Sequence, residues 1–452
     1  GWGGETRQNH TYKPFVRGAL VTVLTVGCTL GAANLAVMGF GADLSAVWVP
    51  LIQAHGYAQM FGWVGLFIMG IAYHLVPRFY LRPLNRPQLV LPSFALVAGG
   101  LVLRFAAQPF AAQYPAAGWL LVLSATLGLA GMTLFAWAMY DTMRRGADRF
   151  GTTADRLYIG AGFAWLWLGH ASTLALMVYM AANSLDAIPT ALNAPYLRAV
   201  LSGAIVTTIL GFTLRTVPHM LGLRPPPAGA MRAVFAAYTI AVLAQIASEG
   251  GIGGGALAAV GAGLEVAALL GFVGLSGVFS LSALRTTALA RRNPWPERFV
   301  RTAYFWLLVA SALNFAYSLG ALVGSPAPHA FVASYHHALT VGFISMMILG
   351  MSMRLVPAFI GAMNRQTGVA AALFLLMNLG NAMRVVSEAM AHRYGGGFFA
   401  AMGLSGLIEV AGLSLYAVAL WRALGRPSYG QKPARRREAA AQQASPGLPS
   451  AQ

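Results

Sequence analysis

Twelve stretches of this chain are apolar over lengths that can cross a lipid bilayer, at about 16–40, 47–74, 88–107, 116–143, 157–182, 194–218, 229–248, 255–285, 300–323, 329–355, 367–391 and 396–424. The hydrocarbon core of a membrane is about 30 Å thick, and a helix rising about 1.5 Å per residue crosses it in about 20 residues. The stretches therefore read as spanning helices, and the fold class as an all-α polytopic membrane protein. Composition agrees: 58% of the 452 residues are hydrophobic and 9% are charged, against about 25% charged in a soluble domain. A water-soluble globule and a disordered chain are both excluded. The lone cysteine, Cys28, lies in an apolar run, which removes a disulfide framework and a cysteine-based metal centre.

The net charge of +18 is spread between the spans rather than gathered in one patch, so it does not argue for nucleic acid. One set of loops carries Arg78, Arg82 and Arg86, then Arg144, Arg145, Arg149 and Arg156, then Arg215 and Arg224, then Arg291, Arg292, Arg298 and Arg301, then Arg365. The alternate loops, among them QPFAAQYPAAG and EGGIGGG, have almost no basic residue. The positive-inside rule then predicts cytoplasmic arginine loops and cytoplasmic termini, which an even number of spans allows. Residues 1–15 read as a cytoplasmic N-terminal segment, 16–426 as the membrane domain, and 427–452 as a disordered, solvent-facing tail.

A repeat runs beneath the hydropathy. Ile68-Met69-Gly70 with His74, Val76 and Pro77 returns as Ile209-Leu210-Gly211 with Arg215, Val217 and Pro218, and again as Ile348-Leu349-Gly350 with Arg354, Val356 and Pro357. Gly62, Gly203 and Gly342 keep the same register, at periods of 141 and 139 residues. Each period matches four spans, which predicts three four-helix units (about 16–143, 157–285 and 300–424) around a pseudo-threefold axis. Glycines allow close helix packing, and the Val-Pro pairs are expected to end their helices.

Depth sorts the histidines. Helices 2, 6 and 10 run in the same direction, and His55, His336 and His337 all lie about 7–8 residues from the outer end, roughly 11–12 Å deep. Two imidazoles at one level suit the axial positions of a heme iron. His336 and His337 point about 100° apart, so one of them completes such a pair and the other faces a second site, for another heme or copper. His170, midway along helix 5, is a further metal candidate, whereas His74 and His219 read as interfacial anchors. Arg384 lies at the depth of His55 and suits an anionic heme propionate; an internal ion pair with Glu388, one turn on, is the competing reading. Glu265 and Glu409 lie well inside the bilayer, where a protonated carboxyl bonded to a neighbouring helix is expected.

The segments HGYAQMFGWVGLFIMGIAYHLVPRF (55–79) and HHALTVGFISMMILGMSMRLVPAFIG (336–361) resemble the NnrS family of polytopic membrane proteins. That resemblance implies a heme-containing, in part copper-containing, protein of the bacterial inner membrane, associated with denitrification and tolerance of nitric oxide. A more distant likeness is to the catalytic subunit of heme-copper oxidases and nitric oxide reductases, also twelve helices in three arcs with heme ligands from helices 2 and 10. It implies His55 and either His336 or His337 as ligands. It also implies second-metal ligands in the outer halves of helices 6 and 7, where this chain has Tyr196, Arg198, Gln245 and Glu249 instead.

Three expectations follow. The first is a heme-binding inner-membrane protein that handles nitric oxide or a related small gas, with His55 and His337 as axial ligands and His336 serving a second heme or copper. The second is a divergent reductase of nitric oxide or oxygen, fed by an electron-donor protein or quinol. The third is a transporter or channel without a cofactor, a class usually marked by inverted repeats; the repeats here are parallel.

Overall fold

The computed structural model describes residues 10–39, 48–146, 154–280, 293–325, 329–360 and 367–425. The predicted tail at 427–452, most of the N-terminal segment, and Arg149, Arg291, Arg292 and Arg365 lie outside the described residues. Among the described residues there is no strand, and twelve helices are long and apolar enough to cross a membrane. They are α1 (Lys13–Val37), α2 (Val49–Phe79), α3 (Pro87–Phe110), α4 (Pro115–Arg145), α5 (Asp155–Ala182), α6 (Thr190–Leu221), α7 (Ala228–Glu249), α8 (Gly254–Ser276), α9 (Trp295–Leu322), α10 (Phe331–Phe359), α11 (Thr367–Ala391) and α12 (Gly397–Leu424).

Burial divides them into two rings. In α2, α6 and α10 the apolar stretch is 94, 83 and 78% buried, whereas in the other nine helices it is 28–44% buried. Helices 2, 6 and 10 therefore form the centre, and the other nine surround them with one face toward lipid. Neighbours in the chain pack on one another around the outside, α3 on α4, α7 on α8 and α11 on α12, and α12 packs on α1 to close the ring.

The repeat is physical as well as sequential. A Cβ on Gly62 would fall 2.3 Å from Thr22 of α1, one on Gly203 3.0 Å from Trp165 of α5, and one on Gly342 2.6 Å from Trp306 of α9. Each unit thus seats its first helix against a glycine of its second. Just beyond the candidate ligands, all three central helices widen into π-helix, at Ala58–Gly65, Ala199–Val206 and Ala338–Ser345. These segments are again 141 and 139 residues apart. Such widenings re-aim the side chains beside them and cluster at functional sites.

Two expectations are corrected. The Val-Pro pairs do not end their helices: Pro77, Pro218 and Pro357 lie inside them, and the backbone winds on for two or three residues. In a last turn the lost N–H and the clash of the proline ring disturb little of the helix that follows. His74 is no interfacial anchor. It is buried, with its ring centroid 3.7 Å from that of Phe359 and 5.2 Å from that of Tyr12. His219 is exposed, as an interfacial residue should be.

Candidate cofactor crevices between the central helices

The three central helices meet at three crevices near one end of the bundle, here termed the histidine end. In register, His55 corresponds to Tyr196 and Tyr335, and Tyr57 corresponds to Arg198 and His337. A helical offset of two residues turns the side chains about 200° apart, so each central helix sends one member of its pair into each flanking crevice. The α10–α2 crevice receives His337 and His55, which lie within electrostatic reach of each other. The α2–α6 crevice receives Tyr57 and Tyr196, and the α6–α10 crevice receives Arg198 and Tyr335.

In the α10–α2 crevice both imidazoles are oriented by hydrogen bonds at Nδ1. His55 Nδ1 lies 2.9 Å from the Gly27 carbonyl, and His337 Nδ1 lies 3.1 Å from the Ala333 carbonyl and 2.9 Å from Glu388 Oε2. A carbonyl only accepts, so each Nδ1 carries the proton, and the neutral ring has its lone pair at Nε2. A histidine held by an outer acceptor in this way is what metal ligation requires. The His55 ring lies against the bare Cα of Gly31, where a Cβ would come within 2.7 Å of Cε1. The π-widened backbone begins one residue after His337 and three after His55.

The rest of this crevice holds unmatched polar atoms. Arg384 is buried, and its Nε and Nη1 find no hydrogen-bond acceptor; Nη1 stands 3.7 Å from Glu388 Oε1. The competing internal ion pair is thus present at that longer distance, while Glu388 turns its other oxygen to His337. The Asn381 amide is fully buried with neither Nδ2 nor Oδ1 paired, and Glu409 Oε1 is also unpaired. His336, one residue along α10, leaves this cluster and places its ring 4.2 Å from that of Tyr335.

The α6–α10 crevice is occupied by a hydrogen-bonded cluster of polar side chains, in which Glu249 Oε2 alone is buried without a partner among the described residues. Arg198 donates to Glu249 at 2.7 and 3.0 Å and to Asn314 Oδ1 at 3.1 Å. Asn314 Nδ2 reaches Gln245 Oε1 at 2.7 Å and Glu265 Oε2 at 2.9 Å, and Gln245 Nε2 donates to Glu265 at 3.0 Å. A small cavity beside this cluster is lined by Ser202, Ser311 and Leu339. Glu265 is thus bonded to neighbouring helices.

In the α2–α6 crevice, Arg104 lies 4.9 Å over the Tyr57 ring and Tyr196 shares a 2.9 Å hydroxyl contact with Thr173. His170 is buried there, away from His55 and His337. Its Nδ1 bonds the Leu166 carbonyl at 3.0 Å, while its Nε2 has no partner among the described residues. Among the described residues no three His, Cys, Asp or Glu side chains come together as a metal-holding group.

No protein-family profile matches the chain, and no curated protein matches it. A search of solved structures is positive. The chain superposes on a heme-copper terminal oxidase, determined by cryo-EM as a dimer, with a TM-score of 0.70 over 92% of this chain and 84% of that one, at 12% sequence identity. The fold is therefore that of an oxidase-like, twelve-helix membrane bundle. Within that fold, imidazoles of two central helices face one of the three crevices, between α10 and α2.

A heme fits the donors of the α10–α2 crevice: two bare Nε2 atoms, unpaired N–H groups on Arg384 for an anionic propionate, and a Gly31 cradle that leaves the first imidazole room. A second metal in the α6–α10 crevice does not fit. The positions that would have to supply its ligands hold Arg198, Gln245 and Glu249: a guanidinium is no ligand, and Gln245 and one oxygen of Glu249 are bonded within the cluster.

Proposed function

We propose that the protein binds one heme between α2 and α10, with His55 and His337 as axial ligands and Arg384 as the partner of a propionate, and that it handles nitric oxide or a related small gas. The observation that carries this reading is the pairing of crevices. Of three symmetry-related positions, the α10–α2 crevice holds two imidazoles, each with Nδ1 tied to an acceptor and Nε2 left bare. Bound there, a heme would supply a redox-active iron, with affinity for a diatomic gas if one axial bond is weak. This chain's residues would fix the ring orientations through Gly27, Ala333 and Glu388, neutralise a propionate at Arg384, and exclude water with the surrounding apolar helices. A small neutral gas partitions into lipid and needs no aqueous entry.

The resemblance of residues 55–79 and 336–361 to NnrS proteins supports the nitric oxide assignment and a bacterial inner-membrane location, and the arginine-rich loops support cytoplasmic termini. An electron-donor protein or quinol is the matching redox partner. The filled α6–α10 crevice weighs against the reductase reading, which needs two metal centres in contact.

The test is an absorption spectrum of the purified, detergent-solubilised protein, oxidised and reduced, with iron and copper analysis, before and after addition of nitric oxide. Heme bands that are altered in both His55→Ala and His337→Ala are expected. Colourless, iron-free protein overturns the heme assignment, and heme bands unchanged in both variants overturn the ligand assignment.

A further inference from the structure

The three units differ in how they balance buried charge, and the difference points to a second ligand. Gly100 of α3 packs on Ser124 and Gly128 of α4, and its counterpart Gly380 of α11 packs on Ser405 and Glu409 of α12. Gly128 therefore stands where the third unit has Glu409. Glu265 takes the same place in the second unit, one helical turn past Gly261, which packs on Ala241 and Gln245. A buried guanidinium accompanies each carboxylate: Arg198 Nη1 lies 4.0 Å from Glu265, and Arg384 lies within electrostatic reach of Glu409.

The first unit keeps the guanidinium without the carboxylate. Arg104 corresponds in register to Gln245 and Arg384. It is 2% exposed, and its recorded contacts are the neutral Gln108 Oε1 at 2.6 Å, the sulfur of Met177 and the face of Tyr57. The acid in the adjoining loop, Asp186, offers Gln108 its main-chain carbonyl at 3.3 Å, and no carboxylate pairs with Arg104 among the described residues. The end of the α3 helix contributes a partial negative charge, worth about half an elementary charge. A whole buried charge left without a partner costs several kcal/mol.

A second observation lies at Gly128, where the side chains of Tyr57 and His170 close over the Cβ position. A Cβ on Gly128 would lie 3.3 Å from the Tyr57 hydroxyl and 3.8 Å from His170 Nε2. His170 is 1% exposed and its Nε2 is unpartnered. With Nδ1–H given to Leu166, Nε2 is an acceptor for a water, and the Tyr57 hydroxyl is a donor.

We infer that the α2–α6 crevice binds a small monovalent inorganic anion, of chloride or nitrite size and carrying a water, which supplies beside Arg104 the negative charge that Glu265 and Glu409 supply in the other two units. Arg104 and the Tyr57 hydroxyl donate to the anion, and His170 Nε2 accepts from its water. This inference is independent of the heme reading, because the site lies in a different crevice.

The test uses the full-length protein in detergent at constant ionic strength, with sodium bromide or sodium nitrite replacing sodium gluconate. A saturable rise in the unfolding midpoint of about 2–4 °C is expected for the wild type and its loss in Arg104→Gln, as follows for a ligand that binds the folded state alone. The variant's heme absorption, if the protein carries heme, stays that of the wild type. Bromide anomalous scattering from wild-type crystals is the second measurement and is unaffected if Arg104→Gln fails to fold: a peak within hydrogen-bond distance of Arg104 is expected. An equal midpoint shift in wild type and Arg104→Gln overturns the inference, as does wild-type indifference to both anions or bromide-soaked crystals without a peak at Arg104.

Discussion

His337 and Glu388 are joined at 2.9 Å, Nδ1 to Oε2, across the contact between α10 and α11. The bond takes one oxygen of Glu388 from Arg384 and fixes the orientation of the His337 ring.

Under the proposed ligation, Glu388→Gln is expected to raise the midpoint potential of the heme while keeping both axial ligands. An electron-rich imidazole favours ferric iron, and an amide in place of the carboxylate withdraws that support. A spectroelectrochemical titration of wild type and variant checks this. An unchanged or lower potential in a variant with intact heme bands would show that Glu388 does not act through His337.

At the opposite end of the bundle, Asp155 is fully buried and bonds Arg215 Nε at 2.5 Å, while Arg215 Nη1 donates to the Phe79 carbonyl at 2.8 Å. Arg354 and Glu297 repeat the pair in the third unit. Asp155→Ala strands a buried guanidinium and is expected to cost about 3–5 kcal/mol. Asp155→Ala with Arg215→Leu removes both charges and is expected to cost less than Asp155→Ala alone. Unfolding midpoints in detergent should therefore rank wild type, double variant, single variant.

Two glycines of α5, two residues apart, separate packing from propensity. A Cβ on Gly162 would come 2.2 Å from Thr208 Oγ1 and 2.9 Å from the Thr208 backbone, whereas one on Gly160 meets nothing within 4 Å. Gly162→Ala must push α6 away and is expected to cost about 1–3 kcal/mol. Gly160→Ala is expected to be neutral or to stabilise by up to about 1 kcal/mol through helix propensity. Thermal unfolding of the two variants decides the point, and equal effects would contradict the α5–α6 packing.

The spans were legible in the sequence because each apolar run must cross the same thickness of lipid, and the repeat was legible because each unit needs its glycines at the same contacts. The choice between His336 and His337 was not. Helical geometry separates the two rings by about 100° but does not say which one faces α11, and the acid that His337 meets there, Glu388, is 51 residues away. The same holds for Arg198, whose partners Glu249, Glu265 and Asn314 come from three other helices. His170 could be found as a buried histidine from its span alone, but that it belongs with Arg104 and Tyr57, and not with His55, depends on how the units close around the axis.

The cluster at Arg198 carries the last prediction. Its guanidinium faces two carboxylates, Glu249 and Glu265, in a crevice where an oxidase-type second metal would need ligands. Arg198→Leu leaves both acids without a cation and is expected to lower stability by about 3–5 kcal/mol. Adding Glu265→Gln should recover part of that loss, because a glutamine oxygen still accepts from Gln245 and Asn314 while the buried negative charge is gone. The wild type is expected to show no copper held at this crevice, since a guanidinium is no ligand and Gln245, Glu265 Oε2 and Glu249 Oε1 are already bonded within the cluster. Unfolding midpoints of the three proteins, with copper analysis of the wild type and of Gln245→Ala, check both halves. Stoichiometric copper that disappears in Gln245→Ala would mean that the cluster opens to hold metal, and would return the reductase reading to the front.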